Sequence, residues 1–164
     1  MKKGITIFLV IVLLFALSGC SGKNYDPSNM ESITLLRVIP DPPKHEVFII
    51  TSDHVIQHYD FTLYWVGNRF DYFSDPLPPE GEYTLSEARI TESDWNSMAE
   101  ILQKNRFFRL PEEIKPVNGA DFPSYYIEVA GNEISHKSGG YGATHVNRNF
   151  KNIWDGIFEY IEIN

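Results

Sequence analysis

Cysteine and positive charge are both scarce in this sequence. Cys20 is the single cysteine among 164 residues, so an intramolecular disulfide is excluded, although exported proteins are free to form one. The chain carries 14 Lys and Arg against 22 Asp and Glu, a formal net charge of −8. Because nucleic-acid binding needs clustered basic side chains that neutralise phosphates, this balance argues against a nucleic-acid partner.

Catalytic patterns are lacking as well. No serine lies in a Gly-x-Ser-x-Gly or Ser-x-x-Lys setting, which are two common contexts of a nucleophilic serine. The glycine-rich segment Ser138–Gly142 has no Lys and does not open directly into a helix, as a phosphate loop does, so we interpret it as a flexible connector. The sequence therefore supports no enzymatic activity and predicts no cofactor, although catalytic groups that meet only in space leave an enzyme open.

The histidines do not predict a metal site. There are five, at His45, His54, His58, His136 and His145. His54 and His58 have a helical i, i+4 spacing, but their neighbours indicate a strand, in which such positions lie roughly 13 Å apart. No acidic or cysteine partner stands at a recognisable ligand spacing. We therefore expect no metal, and interpret the histidines as surface residues, with His136 at the edge of the core.

What is present at the N-terminus is a targeting pattern. Lys2 and Lys3 precede an apolar run from Gly4 to Leu17, and the small residues Ser18 and Gly19 precede Cys20. This order is typical of a signal peptide, and the run is shorter than the roughly 20 residues of a membrane-spanning helix. A retained membrane anchor and a plain secretory signal are the alternatives.

The segment Leu17-Ser18-Gly19-Cys20 resembles the lipobox of bacterial lipoproteins. The resemblance implies a diacylglyceryl group on the Cys20 sulfur and cleavage between Gly19 and Cys20, so that 1–19 is removed. Two acyl chains hold a protein at a membrane where one chain is marginal. Cleavage would also remove Lys2 and Lys3, leaving 12 basic and 22 acidic residues and a net charge of −10.

The location and domain boundaries follow from this resemblance. The membrane is the predicted partner, through the lipid, and the protein is expected on the extracytoplasmic face of the cell membrane. Ser21 is not the Asp that indicates inner-membrane retention, so a host with two membranes could place it at the outer membrane. Residues 20–31 are polar and include Pro27, which indicates a lipidated N-terminus and flexible tether. A single domain is predicted over 32–164.

Short apolar runs predict strands in this domain. Ile33–Ile39 and Val47–Thr51 flank a proline-rich loop, and a third run covers Val55–Tyr59. Two further strand pairs surround Gly-Asn dipeptides, which suit two-residue hairpin turns. The first predicted hairpin joins Phe61–Val66 to Arg69–Phe73 and pairs Trp65 with Phe70 and Leu63 with Tyr72. The second joins Tyr125–Ala130 to Glu133–Ser138. Its predicted pairs are Val129 with Ile134, Ile127 with His136 and Tyr125 with Ser138. Glu80, Glu82 and Glu87 are interpreted as residues of a solvated connector.

Two helices are also predicted. Thr91 is a suitable N-cap, and apolar residues follow it at i, i+3, i+4, i+7 spacing, namely Trp95, Met98, Ala99 and Leu102. Asn149 is the expected cap of a C-terminal helix. Its apolar stripe comprises Phe150, Ile153, Trp154, Ile157, Phe158 and Ile161.

These elements predict an α+β fold with two layers, in which an antiparallel sheet built from hairpins carries two helices on one face. The element order and the segment Phe107–Pro111 (FFRLP) resemble small uncharacterised domains that recur in bacterial lipoproteins. That resemblance implies no particular activity.

The functional prediction is a non-catalytic binding domain, anchored by lipid at the cell envelope, with another envelope protein as its partner. The predicted contact residues are the outward side chains of the hairpins and the aromatic loops: Tyr64, Asp71, Tyr126, Lys137, Tyr141 and His145, with Tyr83 and Phe122 beside them. The alternative is a small envelope enzyme or ligand-binding protein that uses the loop 139–145. A concave pocket lined by histidine and acidic side chains would favour this alternative.

Overall fold

The computed structural model describes residues 27–67, 70–115 and 122–162. The predicted signal peptide, Cys20 and the tether up to residue 26 lie outside these ranges. Pro27–Asn29 forms a short 3₁₀ helix, and the first strand begins at Met30, whose side chain is buried. The last two residues of the predicted tether, Met30 and Glu31, therefore belong to the sheet.

A single six-stranded antiparallel sheet forms the frame of the domain, in the order β4-β3-β2-β1-β5-β6. The strands are β1 (Met30–Pro40), β2 (Pro43–Thr51), β3 (Val55–Asp60), β4 (Thr84–Arg89), β5 (Ser124–Gly131) and β6 (Ile134–Tyr141). The three predicted N-terminal strands lie within β1, β2 and β3. Together with the helices, this sheet confirms the predicted α+β class.

The helices are α1 (Thr62–Gly67), α2 (Glu92–Lys104), α3 (Ala143–Val146) and α4 (Arg148–Glu162), with a further 3₁₀ turn at Phe107–Arg109. Buried side chains of α2 and α4 join one apolar cluster on one face of the sheet, as the sequence predicts. In the part of the chain described here, no helix combines the length and apolar character needed to cross a membrane.

The start of α2 is set by a reciprocal cap. Thr91 Oγ1 accepts the Asp94 backbone N–H at 3.2 Å, and Asp94 Oδ2 accepts the Thr91 backbone N–H at 2.9 Å. These bonds satisfy donors that the first helical turn leaves unpaired. The predicted cap is therefore confirmed, and the predicted apolar stripe of Trp95, Met98, Ala99 and Leu102 is buried.

The cap of α4 lies two residues before the predicted one. Asn147 Oδ1 accepts the Phe150 backbone N–H at 3.0 Å, whereas Asn149 lies inside the helix. Two asparagines in this short segment suit the same role, and the three-residue spacing to Phe150 selects Asn147. The apolar stripe is as predicted, with Phe150, Ile153 and Ile157 fully buried.

The predicted first hairpin is wrong. Thr62–Gly67 is the helix α1, in which the Trp65 backbone N–H donates to the Phe61 carbonyl oxygen at 2.8 Å. Phe61 and Trp65 are one helical turn apart and face the sheet, while Leu63 is 89% exposed. The aromatic spacing therefore has a helical period, and Gly67 ends a helix, where glycine is common, instead of opening a hairpin.

The second predicted hairpin is confirmed as β5 and β6, but its register differs by two residues. Ile127 lies opposite Ser138 instead of His136, and the turn consists of Asn132 and Glu133. Because side chains alternate with a period of two, each keeps its predicted face. Gly131 belongs to β5, where a Cβ atom would collide with the Asn29 carbonyl oxygen. Glycine is required at this position because the backbone of Asn29 and Glu31 approaches closely, and not because the position forms a turn.

Two predicted connectors contain regular structure. Glu87 lies in β4, which pairs with β3 and places Glu87 opposite Gln57. Residues 138–141 are the end of β6, where Gly139 lies opposite Tyr126. A Cβ atom on Gly139 would meet the Tyr126 backbone and ring. The glycines of this segment therefore permit close packing within a strand and do not form a flexible loop.

The second face of the sheet is also covered. A separate cluster of buried side chains lies there, comprising Leu36, Val47, Phe61 and Phe70. The covering segments after β3 are residues 61–67 and 70–83, whose aromatic side chains pack against this cluster. The sheet thus has a helical layer on one face and a smaller aromatic cover on the other.

Candidate functional site: a cleft under the aromatic cover

An open cleft of about 310 Å³ lies between the second face of the sheet and the aromatic cover. This volume is at the lower end of the range for small-molecule sites. The sheet contributes Leu36, Val38, His45, Ser124, Tyr126 and Lys137, and the cover contributes Trp65, Phe70, Asp71, Tyr72 and Phe73.

The strand register brings the sheet residues together. Val38 of β1 pairs with His45 on one side and Ser124 on the other. Two residues away, Leu36 pairs with Val47 and Tyr126 in the same way. Because alternate residues share a face, these two cross-strand rows form the floor of the cleft.

His45 is the most unusual group in the cleft. Its side chain is 1% exposed, and neither ring nitrogen has a hydrogen-bond partner among the described residues. The ring is surrounded by aromatic side chains, with centroid distances of 6.0 Å to Phe61, 6.0 Å to Trp65 and 5.5 Å to Phe70. Buried polar atoms in native proteins are nearly always partnered, so His45 calls for explanation.

Burial also determines the charge of His45. Desolvation lowers the pKa of His45 from 6.5 to about 4, although the carboxylates of Asp71 and Asp60 act in the opposite direction. The imidazole is therefore neutral at pH 7. A neutral imidazole has one N–H donor and one acceptor nitrogen, and both are directed into surroundings that are mostly aromatic.

A tight turn holds the aromatic cover in place. Asp71 Oδ1 accepts the Phe73 backbone N–H at 3.1 Å, and Asp71 Oδ2 accepts the Ser74 hydroxyl at 3.0 Å. The Asp71 backbone N–H in turn donates to Asp75 Oδ2 at 2.7 Å. This network fixes Tyr72 and Phe73 over the sheet, and Asp71 remains exposed at the rim.

The lining of the cleft also combines a cation with phenol groups. The Lys137 ammonium lies 4.5 Å from the Phe73 ring centroid, a favourable cation–π arrangement. The Phe73 ring is 6.0 Å from Tyr126. Burial raises the pKa of both Tyr72 and Tyr126, so both phenols stay protonated at neutral pH.

The structure brings together part of the predicted contact surface. Asp71, Tyr126 and Lys137 all line the cleft. Tyr64 lies next to it, with its ring centroid 5.6 Å from that of Phe70 in an edge-to-face arrangement. Tyr126 and Lys137 share one face of the second hairpin as predicted, but this face is covered by aromatic side chains instead of pointing outward. Asp71 reaches the cleft through the turn after α1 and not through a hairpin.

Tyr141 and His145, two further residues of the predicted contact surface, do not line the cleft. Both contact Phe122: the Phe122 backbone N–H donates to the Tyr141 hydroxyl at 2.7 Å, and the His145 ring centroid is 4.4 Å from that of Phe122. The predicted loop 139–145 is thus the end of β6 followed by α3, and it lies apart from the cleft.

A second polar cluster occupies the helical face of the sheet. Glu46 is 3% exposed and accepts hydrogen bonds from Arg37 Nε at 2.9 Å and Nη2 at 2.5 Å. Lys44 Nζ lies 3.0 Å and His58 Nε2 3.2 Å from Glu46 Oε1. Burial alone would raise the pKa of Glu46, but hydrogen bonds from His58, Arg37 and Lys44 outweigh it and lower the pKa to about 2. This carboxylate is fully partnered and stabilises the fold.

The surface interpretation of the histidines is confirmed for His145, which is exposed, and the predicted placement of His136 near the core also matches, because its ring packs 5.0 Å from Phe107. The interpretation is wrong for His45, which is buried, while His58 is partly exposed and bonded to Glu46. Within the described ranges, no three His, Cys, Asp or Glu side chains are arranged to hold a metal ion. His45 was missed because β2 starts at Pro43, four residues before the predicted strand. His45 and Val47 are two residues apart, so extending the predicted strand to His45 would have placed both side chains on the same face of the sheet.

Neither a protein-family model nor a curated protein sequence matches this chain.

Proposed function

We propose that this protein is a lipid-anchored, extracytoplasmic, non-catalytic binding protein, and that the cleft is its binding site. Support for the anchor comes from the sequence Leu17-Ser18-Gly19-Cys20 behind a positive and then apolar segment. Support for the binding site comes from the cleft itself. The single observation that carries the proposal is the buried, unpartnered His45 in the floor of an open cleft.

The arrangement of the cleft favours binding over hydrolysis. Ser124 is the hydroxyl group in the floor, but β1 separates its strand from that of His45, which places the two backbones roughly 10 Å apart. The His45 ring makes no hydrogen bond within the described chain, so it does not form a nucleophile–base pair with Ser124. With a pKa of about 4, its imidazole is also a weak base at neutral pH. A pocket with a histidine and an acidic side chain, which would favour the ligand-binding alternative, is present, although at His45 and Asp71 and not at the loop 139–145. Its aromatic walls and polar rim are suited to holding a ligand.

Metabolic labelling with a radioactive fatty acid tests the anchor. We expect label on the wild-type protein and none on Cys20→Ala, because the sulfur of Cys20 is the predicted site of acylation. The Cys20→Ala protein should also leave the membrane fraction after mild washing. Label that persists on Cys20→Ala, or its absence from the wild type, would contradict lipid anchoring.

Photo-crosslinking in intact cells tests the cleft. A photo-reactive phenylalanine analogue at position 126 replaces a ring that lines the cleft, and the same analogue at the exposed position 159 of α4 is the control. We expect an adduct, detected by mass spectrometry of the purified protein, at position 126 only. Equal adducts at both positions, or none at 126, would argue against the cleft as the binding site.

A further inference from the structure

The ring nitrogens of His45 require a partner that the described chain does not provide. The ring lines the floor of the cleft, but its nitrogens are buried, so a molecule in the cleft reaches them only when the aromatic side chains beside the ring move. A neutral imidazole offers one donor and one acceptor. A hydroxyl group can either donate to the acceptor nitrogen or accept from the N–H, so it can pair with whichever ring nitrogen it meets.

The walls of the cleft favour a ring as the rest of the ligand. Trp65, Phe70, Tyr72, Phe73 and Tyr126 all line it. Aromatic side chains pack well against a flat ring, through offset stacking or edge-to-face contacts. Leu36 and Val38 add further apolar surface to the lining.

The charges around the cleft favour a neutral ligand. The carboxylates of Asp71 and Asp60 act electrostatically on the His45 ring, and they would repel an anion bound next to it. Lys137 already places a cation against the Phe73 ring, which disfavours a second cation there. The acidic chain, with a net charge of −8, gives an anion no further attraction.

We infer that the cleft binds a neutral ring compound with a hydroxyl group, and that the His45 ring recognises this hydroxyl. The inference rests on the proposed function of the cleft as a binding site. His45 is then a specificity-determining residue: the aromatic walls bind the ring, and the imidazole distinguishes a hydroxylated ring from a plain one.

Titration with phenol, anisole and toluene tests this inference. The full-length chain, labelled with ¹⁵N at histidine and purified in detergent micelles, is titrated while the imidazole nitrogens are followed by NMR. We expect phenol to shift the His45 nitrogens in a saturable way and to bind about tenfold more tightly than toluene. Anisole accepts but cannot donate a hydrogen bond, so its affinity should lie between them.

Two variants separate recognition from folding. His45→Phe keeps a ring of similar size without nitrogens, and should reduce the preference for phenol over toluene to less than about threefold. His136→Phe is the matched control, because His136 Nε2 is also buried and unpartnered in the described chain but His136 does not line the cleft. It should keep the full preference. The three-ligand series on the wild type needs no variant, so the inference stays testable if His45→Phe does not fold.

The outcomes distinguish this inference from the proposed function. Equal affinity for phenol and toluene, or a phenol preference that survives in folded His45→Phe, would overturn recognition by His45. The cleft would remain a binding site if crosslinking at position 126 is specific. The absence of any saturable shift with phenol would likewise overturn the inference.

Discussion

His45 and Glu46 are neighbours in β2, and because successive strand residues point to opposite faces, they lie in different environments. Both are almost completely buried. Glu46 is ionised and has three basic partners, whereas His45 is neutral and unpartnered among the described residues. A buried group that is fully partnered is typical of a structural role, and one that is not is typical of a functional site.

At the residue scale, Glu46→Gln should destabilise the domain by about 3 kcal/mol, because it leaves the partly buried Arg37 without its charge partner. Urea unfolding at pH 7 measures this loss. The pKa of Glu46 is about 2 in the fold against 4.5 ordinarily. Its contribution is therefore present above pH 4.5 and lost as the pH falls towards 2.

The control for this change is Glu159→Gln on the exposed side of α4, which should alter the free energy of unfolding by less than about 0.5 kcal/mol. A Glu46→Gln protein as stable as this control at pH 7 would show that the cluster contributes nothing to stability.

The pKa of His45 predicts a second pH dependence. The unfolded chain binds a proton near pH 6.5, but the folded chain does so only near pH 4. Stability from the neutral ring is therefore complete above pH 6.5, falls between 6.5 and 4, and levels off below 4. Comparing urea unfolding of the wild type and His45→Phe over this range should show a smaller loss in the variant. If the free energy of unfolding changed with pH equally in the wild type and in His45→Phe, the burial of a neutral imidazole would be contradicted.

At the element scale, sequence patterns predicted the parts of the fold that depend on one period. The cap and stripe of α2 and the stripe of α4 follow from helical spacing alone. The segment Phe61–Gly67 was misassigned because its strand and helix patterns are both acceptable over so few residues. The contacts of Phe61 and Trp65 with the sheet favour the helix over the strand, and such contacts are not visible in the sequence.

The cleft was only partly predictable for the same reason. Tyr126 and Lys137 share a face through hairpin alternation, which the sequence contains. The meeting of His45 with Asp71 depends on the path of the chain from β3 to β4, which crosses the second face. No local pattern specifies that path.

Gly131 provides a prediction about β5. A Cβ atom there would collide with the Asn29 carbonyl oxygen and approach the Glu31 backbone nitrogen. Gly131→Ala should therefore destabilise the domain by about 1–3 kcal/mol, as overpacking does. Urea unfolding measures the change, and the exposed turn residue Asn132 provides the control as Asn132→Ala. Equal stability of the two variants would show that β1 and β5 can separate locally without cost.

At the scale of the whole molecule, the sheet separates two apolar clusters with different roles. Leu35 belongs to the cluster under the helices and Leu36 to the cluster under the aromatic cover. The cluster under the helices contains most of the buried apolar side chains of the described residues. The cover is smaller and leaves the cleft open.

These neighbours allow a matched test. Leu35→Ala and Leu36→Ala should each destabilise the domain by about 2–5 kcal/mol, measured by urea unfolding. Only Leu36→Ala should change the affinity for phenol, because Leu36 lines the cleft and Leu35 does not. A change of similar size in both variants would show that the two faces are coupled through the sheet.

The position of β1 has a mechanical consequence. The chain enters the described fold at Met30, directly at the start of the strand that pairs with β2 on one side and β5 on the other. A pull from the N-terminal side therefore acts along β1 and loads both rows of hydrogen bonds in shear, so that many bonds share the force. A domain tethered through an edge strand would load a single row of hydrogen bonds. Attachment through β1 gives this domain a mechanically resistant connection to whatever holds its N-terminal side.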